Sequence, residues 1–375
     1  MRYRHKPRRP LVLPGILILA TCVVLCCSVG QMALMFVTSL KTGETPSASV
    51  LGGSSLSGIS TVLGGSWSSA MVPAAATVGI TVLVGAVVRR AGMKLFSPAK
   101  VNTFLKITGR TNPPNPMHTM VSQFHTISLG DWVHISTTDD SKDTLRCDDP
   151  SVPTDERNLV LRALDLFRRK SGIDQHFHVT LTKRCPNQAG LGGGSSNGAT
   201  VLWAANRLTH FGATDDTLAE WSRELGSDLP FFLASRGAAL CCGVGDEVLP
   251  MSPEAVGGSK GMVFVKPSFG LPTPAVYKEY MSGAGPAPLP LNDLTRGALK
   301  IRPELAQLAR DMEGVMGLSG VSMSGSGSCL FGYGDPRNVD EFKAKYPGTT
   351  VWSDIVPVFR KSDGWYGGDD ASSSV

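Results

Sequence analysis

The chain has 375 residues, 42% of them hydrophobic and 18% charged, which is enough apolar material for a core spanning two ordinary domains and too much for wholesale disorder. Its net charge of +5 hides an asymmetry: residues 1–90 hold eight Lys and Arg against a single acid, Glu44, while residues 91–375 hold 28 basic and 30 acidic residues. The body is slightly acidic, which excludes a nucleic-acid-binding class that depends on a basic face, and its cysteines show neither a C-x-x-C pair nor a zinc-like spacing with His.

The N-terminus reads as a leader in two stages. Arg2, Arg4, Lys6, Arg8 and Arg9 precede the uncharged run Leu11–Gly30, the n-region and h-region of a secretory signal over residues 1–36. A retained membrane anchor is the alternative, since a run of about twenty apolar residues can span a bilayer. Residues 37–70 are then rich in Ser, Thr and Gly and poor in acid, as transit peptides are, and a second uncharged run, Met71–Val88, ends at Arg89-Arg90. This order resembles leaders that route proteins through the endoplasmic reticulum into plastids bounded by extra membranes, so membrane contact is expected only through residues 1–93.

From Lys94 onward, short apolar runs alternate with amphipathic stretches, the texture of mixed α and β structure. Val160, Ala163, Leu164 and Phe167 recur at helical spacing behind Asn158, and Arg168-Arg169-Lys170 before Gly172 supplies a helix C-terminus. Phe177, Val179 and Leu181 alternate with polar residues and predict a strand with one buried face. A helix is expected from about Ser196 to Phe211. Another is marked by Leu305, Leu308, Ala309 and Met312 behind Pro303-Glu304. The Pro- and Gly-rich stretch Pro250–Lys260 suggests a boundary between halves at 94–255 and 256–362, Gly283–Pro290 reads as a long loop, and residues 363–375 read as a frayed tail.

Between the predicted strand and helix lies Pro186-Asn187-Gln188-Ala189-Gly190-Leu191-Gly192-Gly193-Gly194-Ser195-Ser196-Asn197. Glycines let the backbone approach a ligand and take positive φ, and the helix that follows aims free N–H groups and the positive end of its dipole into the loop. That is phosphate-binding geometry. No Gly-Lys-Ser/Thr makes it a Walker loop, and Ser195 stands where a dinucleotide fingerprint needs its third Gly. The plainer alternative is a turn before a helix capped by Ser195 or Ser196.

Three further clusters accompany the loop: Ser97-Pro98-Ala99-Lys100-Val101-Asn102, Gly226-Ser227-Asp228-Leu229-Pro230-Phe231 and Ser324-Gly325-Ser326-Gly327-Ser328-Cys329. Together with Ser128-Leu129-Gly130-Asp131, Pro272-Thr273-Pro274 and Asn292-Asp293-Leu294, they give the chain, from about Lys94 to Gly334, a close resemblance to the galactokinase, homoserine kinase, mevalonate kinase and phosphomevalonate kinase (GHMP) superfamily. The triple glycine narrows the resemblance to the branch whose acceptor is a cytidine-diphosphate-linked methylerythritol of the non-mevalonate isoprenoid route.

The resemblance implies an α+β, two-domain fold with a ribosomal-protein-like N-terminal half and a ferredoxin-like C-terminal half, and ATP and Mg²⁺ as cofactors. It implies Asp228 as catalytic base and Lys100 as the cation that orients it; as residues alone, these also suit a helix cap and a solvated strand lysine. Nucleotide contacts fall to Pro186, Ala189, Gly190, Leu191, Gly192, Gly193, Gly194, Ser195, Ser196 and Asn197, with Asn158 near the adenine and Ser195 or Ser196 toward the metal. On the acceptor side stand Asn102, His118, Phe124 and Tyr277, the loop Ser324, Gly325, Ser326 and Gly327, and Met117 where the branch usually has an aromatic. Gln188 replaces a loop glycine. A different small-alcohol acceptor, or an inactive membrane-anchored nucleotide binder, are the competing expectations.

Overall fold

A computed structural model describes residues 20–26, 32–38 and 91–367, apart from 115, 253–260, 282–288, 290 and 361–363. Most of the expected leader lies outside the described residues. Within it, β1 (Ala20–Cys26) pairs antiparallel with β2 (Met32–Thr38), with Ala20 opposite Thr38. Part of the apolar run is therefore a strand, and among the described residues no helix is long and apolar enough to cross a membrane.

The body from Arg90 begins with β3 (Gly92–Arg110), β4 (His118–Thr138), β5 (Thr144–Cys147), α1 (Leu159–Ser171), β6 (His176–Thr182), α2 (Gly193–Leu208), α3 (Asp215–Ser222), α4 (Leu229–Ala234), β7 (Ala238–Cys242) and β8 (Glu247–Pro250). It continues with β9 (Met262–Lys266), α5 (Thr273–Met281), α6 (Thr295–Ile301), α7 (Glu304–Gly314), β10 (Ser319–Met323), β11 (Leu330–Tyr333), α8 (Val339–Lys345) and β12 (Thr350–Ile355). Two sheets result. In the first, β3 lies along one edge of β4, and the other edge is shared end to end by β6 and β7. β5 adds in parallel to β6, and β8 closes the side beyond β7. The second sheet is antiparallel, in the order β10-β11-β9-β12. The expected α+β architecture is what the body adopts.

Local chemistry explains the elements. Asn158 accepts the Val160 N–H and caps α1, and Gly172, left-handed at φ 73°, ends it. Phe177, Val179 and Leu181 are at most 1% exposed, and each contributes roughly 1.5–3 kcal/mol through burial. They pack with Val160, Leu164, Phe167, Leu202 and Trp203 in one core. α7 buries Leu305, Leu308, Ala309 and Met312 in a second core beneath the other sheet. α2 starts three residues earlier than expected and ends at Leu208. No serine caps it: Gly192 stands at the cap position in the left-handed region, with no side-chain hydrogen bond.

The hairpin of β3 and β4, 19 and 21 residues long, reaches into both cores. Val133 and Ile135 belong to the first core, whereas Leu105 and Met120 belong to the second. Between them, Ala99, Val101, Ile127 and Leu129 join Leu191, Met262, Phe264 and Phe331 in a third cluster. β8 ends at Pro250 and β9 begins at Met262, so the chain changes sheet within the Pro- and Gly-rich stretch.

The expected frayed tail requires correction at its start, while residues 368–375 lie outside the described residues. Trp365 and Tyr366 are 5% and 3% exposed and return to the first core, with the Trp365 ring 5.0 Å from that of Trp203. Two large aromatics set among Gly, Asp and Ser are buried for their own apolar area, against the composition around them.

Candidate active site

β3 delivers Lys100 to the floor of a cleft. The residue is 4% exposed, which disposes of a solvated strand lysine. Its Nζ donates to Asn102 Oδ1 at 2.7 Å, lies 3.5 Å from Asp228 Oδ2 and sits 4.3 Å over the Phe124 ring. A buried ammonium needs such partners, because an unpaired one costs far more than packing returns. Its backbone N–H donates to Leu191 O at 2.8 Å and ties the strand to the glycine loop. Asp228 immediately precedes α4, yet its side chain caps nothing; the carboxylate, 31% exposed, opens into the cleft instead.

The glycine loop has its own steric reasons. Gly190, at φ 73°, would put a Cβ 2.0 Å from Ser324 O, and Gly192, at φ 65°, would put one 2.9 Å from Lys100 Cγ. Gly193 leaves room for Cys185 Sγ, 2.8 Å from its would-be Cβ; burial pushes that thiol up to about 12, so Cys185 packs as a small apolar group. Gly194 is less crowded: a Cβ there would stand 3.9 Å from Leu159 Cδ1, an ordinary contact. The first-turn N–H groups of α2, on Gly193, Gly194 and Ser195, have no intrahelical partner and border the cleft. A chain of oxyanions fits there. Gln188 takes the left-handed conformation at φ 51°, the backbone a glycine would supply, and its side chain lies where a Cβ on Gly270 would stand 2.6 Å from Oε1.

Ser195 and Ser196 part ways. Successive helical residues point about 100° apart, so Ser195 borders the cleft while Ser196, fully buried, meets Ser97 Oγ at 2.8 Å. Asn197 also turns inward, donating to Ser97 Oγ and to Asp131 Oδ2, each at 3.0 Å. Asp131 is fully buried, accepts the backbone N–H groups of Arg184 and Cys185 at 2.8 Å, and pairs with Lys183. Lys183 borders the cleft beside the loop. The resemblance marked Asp131 without giving it a role, and nothing singled out Lys183; a lone lysine after a strand has no sequence signature. Asn158 serves as the α1 cap and lies beside Leu159, which borders the cleft.

At the other end, His118 and Tyr277 stack with ring centroids 4.9 Å apart, and Tyr280 stands edge-on to His118 at 6.0 Å. Burial, then the nearby Arg110 charge, lowers the His118 pKa, and burial, then Asp228, raises that of Tyr277. Both rings are thus held neutral at pH 7. Met117 borders the same end and is 53% exposed. Phe124 lines the cleft as well; it is 1% exposed, lies under the Lys100 ammonium and stands edge-on to Phe231. Of the C-terminal loop, Gly325 and Ser326 border the cleft, and Ser326 Oγ meets Thr273 Oγ1 at 2.8 Å. Ser324 donates to Gly190 O at 3.0 Å, and Gly327 packs against Met323 and Leu271. Asn292 holds the loop from behind through Met323 O and Gly325 O.

The cleft encloses about 770 Å³. A helix N-terminus rich in glycine, a lysine–aspartate pair on the floor and a second glycine loop packed against the first are the parts a small-molecule kinase needs, and residues 158–236 match the GHMP kinases N terminal domain family. Homoserine kinase from Cytophaga hutchinsonii shares the fold, with a TM-score of 0.53 at 18% identity over 72% of this chain and 96% of that one. The 4-diphosphocytidyl-2-C-methyl-D-erythritol kinase of Protochlamydia amoebophila is 43% identical over 264 residues, 67% of this chain and 88% of the relative. The chloroplastic enzyme of that name from Mentha piperita is 39% identical over 307 residues, 74% of each chain. A crystal structure of 4-(cytidine 5'-diphospho)-2C-methyl-D-erythritol kinase superposes with a TM-score of 0.57 at 30% identity, over 71% of this chain and 99% of that one. The chain belongs to the 4-diphosphocytidyl-2-C-methyl-D-erythritol kinase family.

Proposed function

We propose that the protein transfers the γ-phosphoryl group of ATP to the 2-hydroxyl of 4-diphosphocytidyl-2-C-methyl-D-erythritol, releasing ADP and the 2-phosphate. The observation that carries this reading is the Lys100–Asp228 pair at 3.5 Å, on the floor of a cleft with free helix N–H groups at one end and a neutral His118–Tyr277 stack at the other. Asp228 accepts the hydroxyl proton as the new O–P bond forms and the bond to the leaving ADP oxygen breaks, and Lys100 orients it and faces the charge on the transferring group. The loop from Gly190 to Ser195 holds the triphosphate. His118 and Tyr277 hold the cytosine, with Met117 at its edge, and Gly325 and Ser326 close on the acceptor. Mg²⁺, when bound, would neutralise charge on the triphosphate; Ser195 would be the hydroxyl available to hold it, because Ser196 is engaged by Ser97. The nucleotide half comprises residues 94–255 and the smaller half residues 256–362. The destination is a plastid, as in the chloroplastic relatives, reached through the endoplasmic reticulum by the two-stage leader.

A coupled ADP-release assay tests the reading with three acceptors. Turnover is expected with the cytidylyl acceptor and not with mevalonate or homoserine; equal turnover of either of the latter overturns it. Asp228→Asn should lower kcat by about 10²–10⁴ with little change in KM for ATP. Lys100→Met should do likewise, and the double variant should be scarcely worse, because the two act as one unit. Retention of more than about a tenth of kcat in Asp228→Asn, outside the range for a lost base, would remove Asp228 from that role.

A further inference from the structure

The helix that carries Asp228 at its head is short and depends on a distant part of the chain. α4 has six residues and spans about 9 Å, so its last four carbonyls, from Phe231 to Ala234, have no intrahelical partner. Phe231 O accepts from the Ser235 N–H and the Ser235 hydroxyl. The next two partners come from the C-terminus: Tyr366 Oη donates to Phe232 O at 3.3 Å, and Arg360 Nη1 donates to Leu233 O at 2.7 Å.

Arg360 is built for this place. It is 9% exposed, and its guanidinium is used on every side. Nη2 pairs with Asp215 Oδ2 at 2.7 Å, Nε donates to Gly364 O at 3.3 Å, and the plane lies 4.9 Å over the Trp365 ring. Its backbone N–H donates to Arg236 O at 3.0 Å, just beyond α4. Upstream, the strap is stitched to β4: Val358 N–H donates to Thr126 O at 3.1 Å, and the Thr126 hydroxyl donates to Val358 O. A guanidinium held by a carboxylate, an aromatic face and two carbonyls is a fixed object, and a lysine could not reproduce it.

We propose that Arg360, with Tyr366, is a positioning residue for the phosphoryl-transfer step: the C-terminal strap fixes the far end of α4, and through that helix it fixes Asp228 against Lys100. This rests on Asp228 being the base. A rigid short helix transmits displacement along its length, so releasing its last carbonyls moves the carboxylate that stands one residue before its first turn. Misplacement of a catalytic group by about 1 Å can cost up to 10²-fold in rate.

The test is a double-variant cycle on the full chain, with kcat, both KM values and thermal melts measured well below the melting temperature of every protein. Arg360→Met should lower kcat by about tenfold while leaving both KM values within about twofold. In the Asp228→Asn background the same change should leave the residual kcat untouched, although it still lowers the melting temperature. A melt shift with normal kcat, or an equal loss of kcat in both backgrounds, overturns the proposal. If Arg360→Met does not fold, Tyr366→Phe, which removes one hydroxyl and keeps the ring, should give a smaller kcat loss that likewise disappears with Asp228→Asn; no loss, or an additive one, is again fatal. Asp228→Asn alone reports on the base, so retained turnover there overturns that reading and not merely the strap's part in it.

Discussion

Replacing Gly192 with alanine separates two reasons for a glycine in the phosphate loop. The residue has φ 65° and would place a Cβ 2.9 Å from Lys100 Cγ and 3.0 Å from Cε. The lysine cannot swing aside cheaply. Its backbone N–H is bound to Leu191 O at 2.8 Å and its Nζ to Asn102 Oδ1 at 2.7 Å, so the stem is held at both ends. The left-handed conformation alone costs an alanine about 1–2 kcal/mol, which for a body of this size lowers the melting temperature by roughly 2–8 °C. The added methyl must also push the stem by several tenths of an ångström, away from a contact with Asp228 of 3.5 Å. We expect kcat to fall by about tenfold or more, with KM for ATP changing little. Steady-state kinetics in both substrates and a melt on the same preparation provide the measurement. If Gly192 is bare chiefly so that phosphate can approach, KM for ATP rises and kcat is retained. That result would refute the argument that the glycine is there for the lysine.

Two further outcomes follow from features away from the cleft floor. His125 is 1% exposed and burial depresses its pKa to about 4; the folded state therefore resists a proton that the unfolded chain binds near pH 6.5, and stability present above that pH is lost as pH falls toward 4. The loss is on the order of 3 kcal/mol, so the gap between His125→Gln and the parent in urea melts should narrow by that amount from pH 7 to pH 4, and parallel curves would refute the assignment. For routing, residues 1–36 fused to a fluorescent reporter should reach the secretory path and residues 1–93 a plastid; cytosolic fluorescence from the longer fusion refutes the two-stage leader.

Local patterns were legible because local physics set them. α1 could be read to its ends because Asn158 caps it, Gly172 stops it and its apolar residues recur at the helical period. Lys100 and Asp228 were legible only as parts of motifs, since their meeting spans more than a hundred residues and no periodicity encodes it. Ser195 and Ser196 are equivalent as letters, but the helical rotation sends one to the cleft and the other to Ser97. Phe124 lines the cleft, and its place on β4 beneath Lys100 also makes it a seat for the ammonium, a contact no local pattern encodes. Asp131 and Lys183 form a pair 52 residues apart that shores up the loop from below, and only the register of β4 on β6 brings them together. The C-terminal aromatics were hidden by their surroundings: Gly, Asp and Ser predict fraying, yet Trp365 and Tyr366 pack into the first core.

The long hairpin of β3 and β4 bears on how this protein must fold. A single pair of strands supplies apolar side chains to the first core through Val133 and Ile135, to the second through Leu105 and Met120, and to the cluster between them through Ala99 and Ile127. Neither sheet can melt without stripping packing from strands the other requires, so the two sheets lose the independence that separate cores usually confer. Unfolding of the body should be one transition, and a fragment cut at the change of sheet should expose half of a core it cannot complete. The strands of the second sheet must also find a hairpin made some 150 residues earlier in the chain, a demand of high contact order that slows folding and lengthens the exposure of unpaired edges.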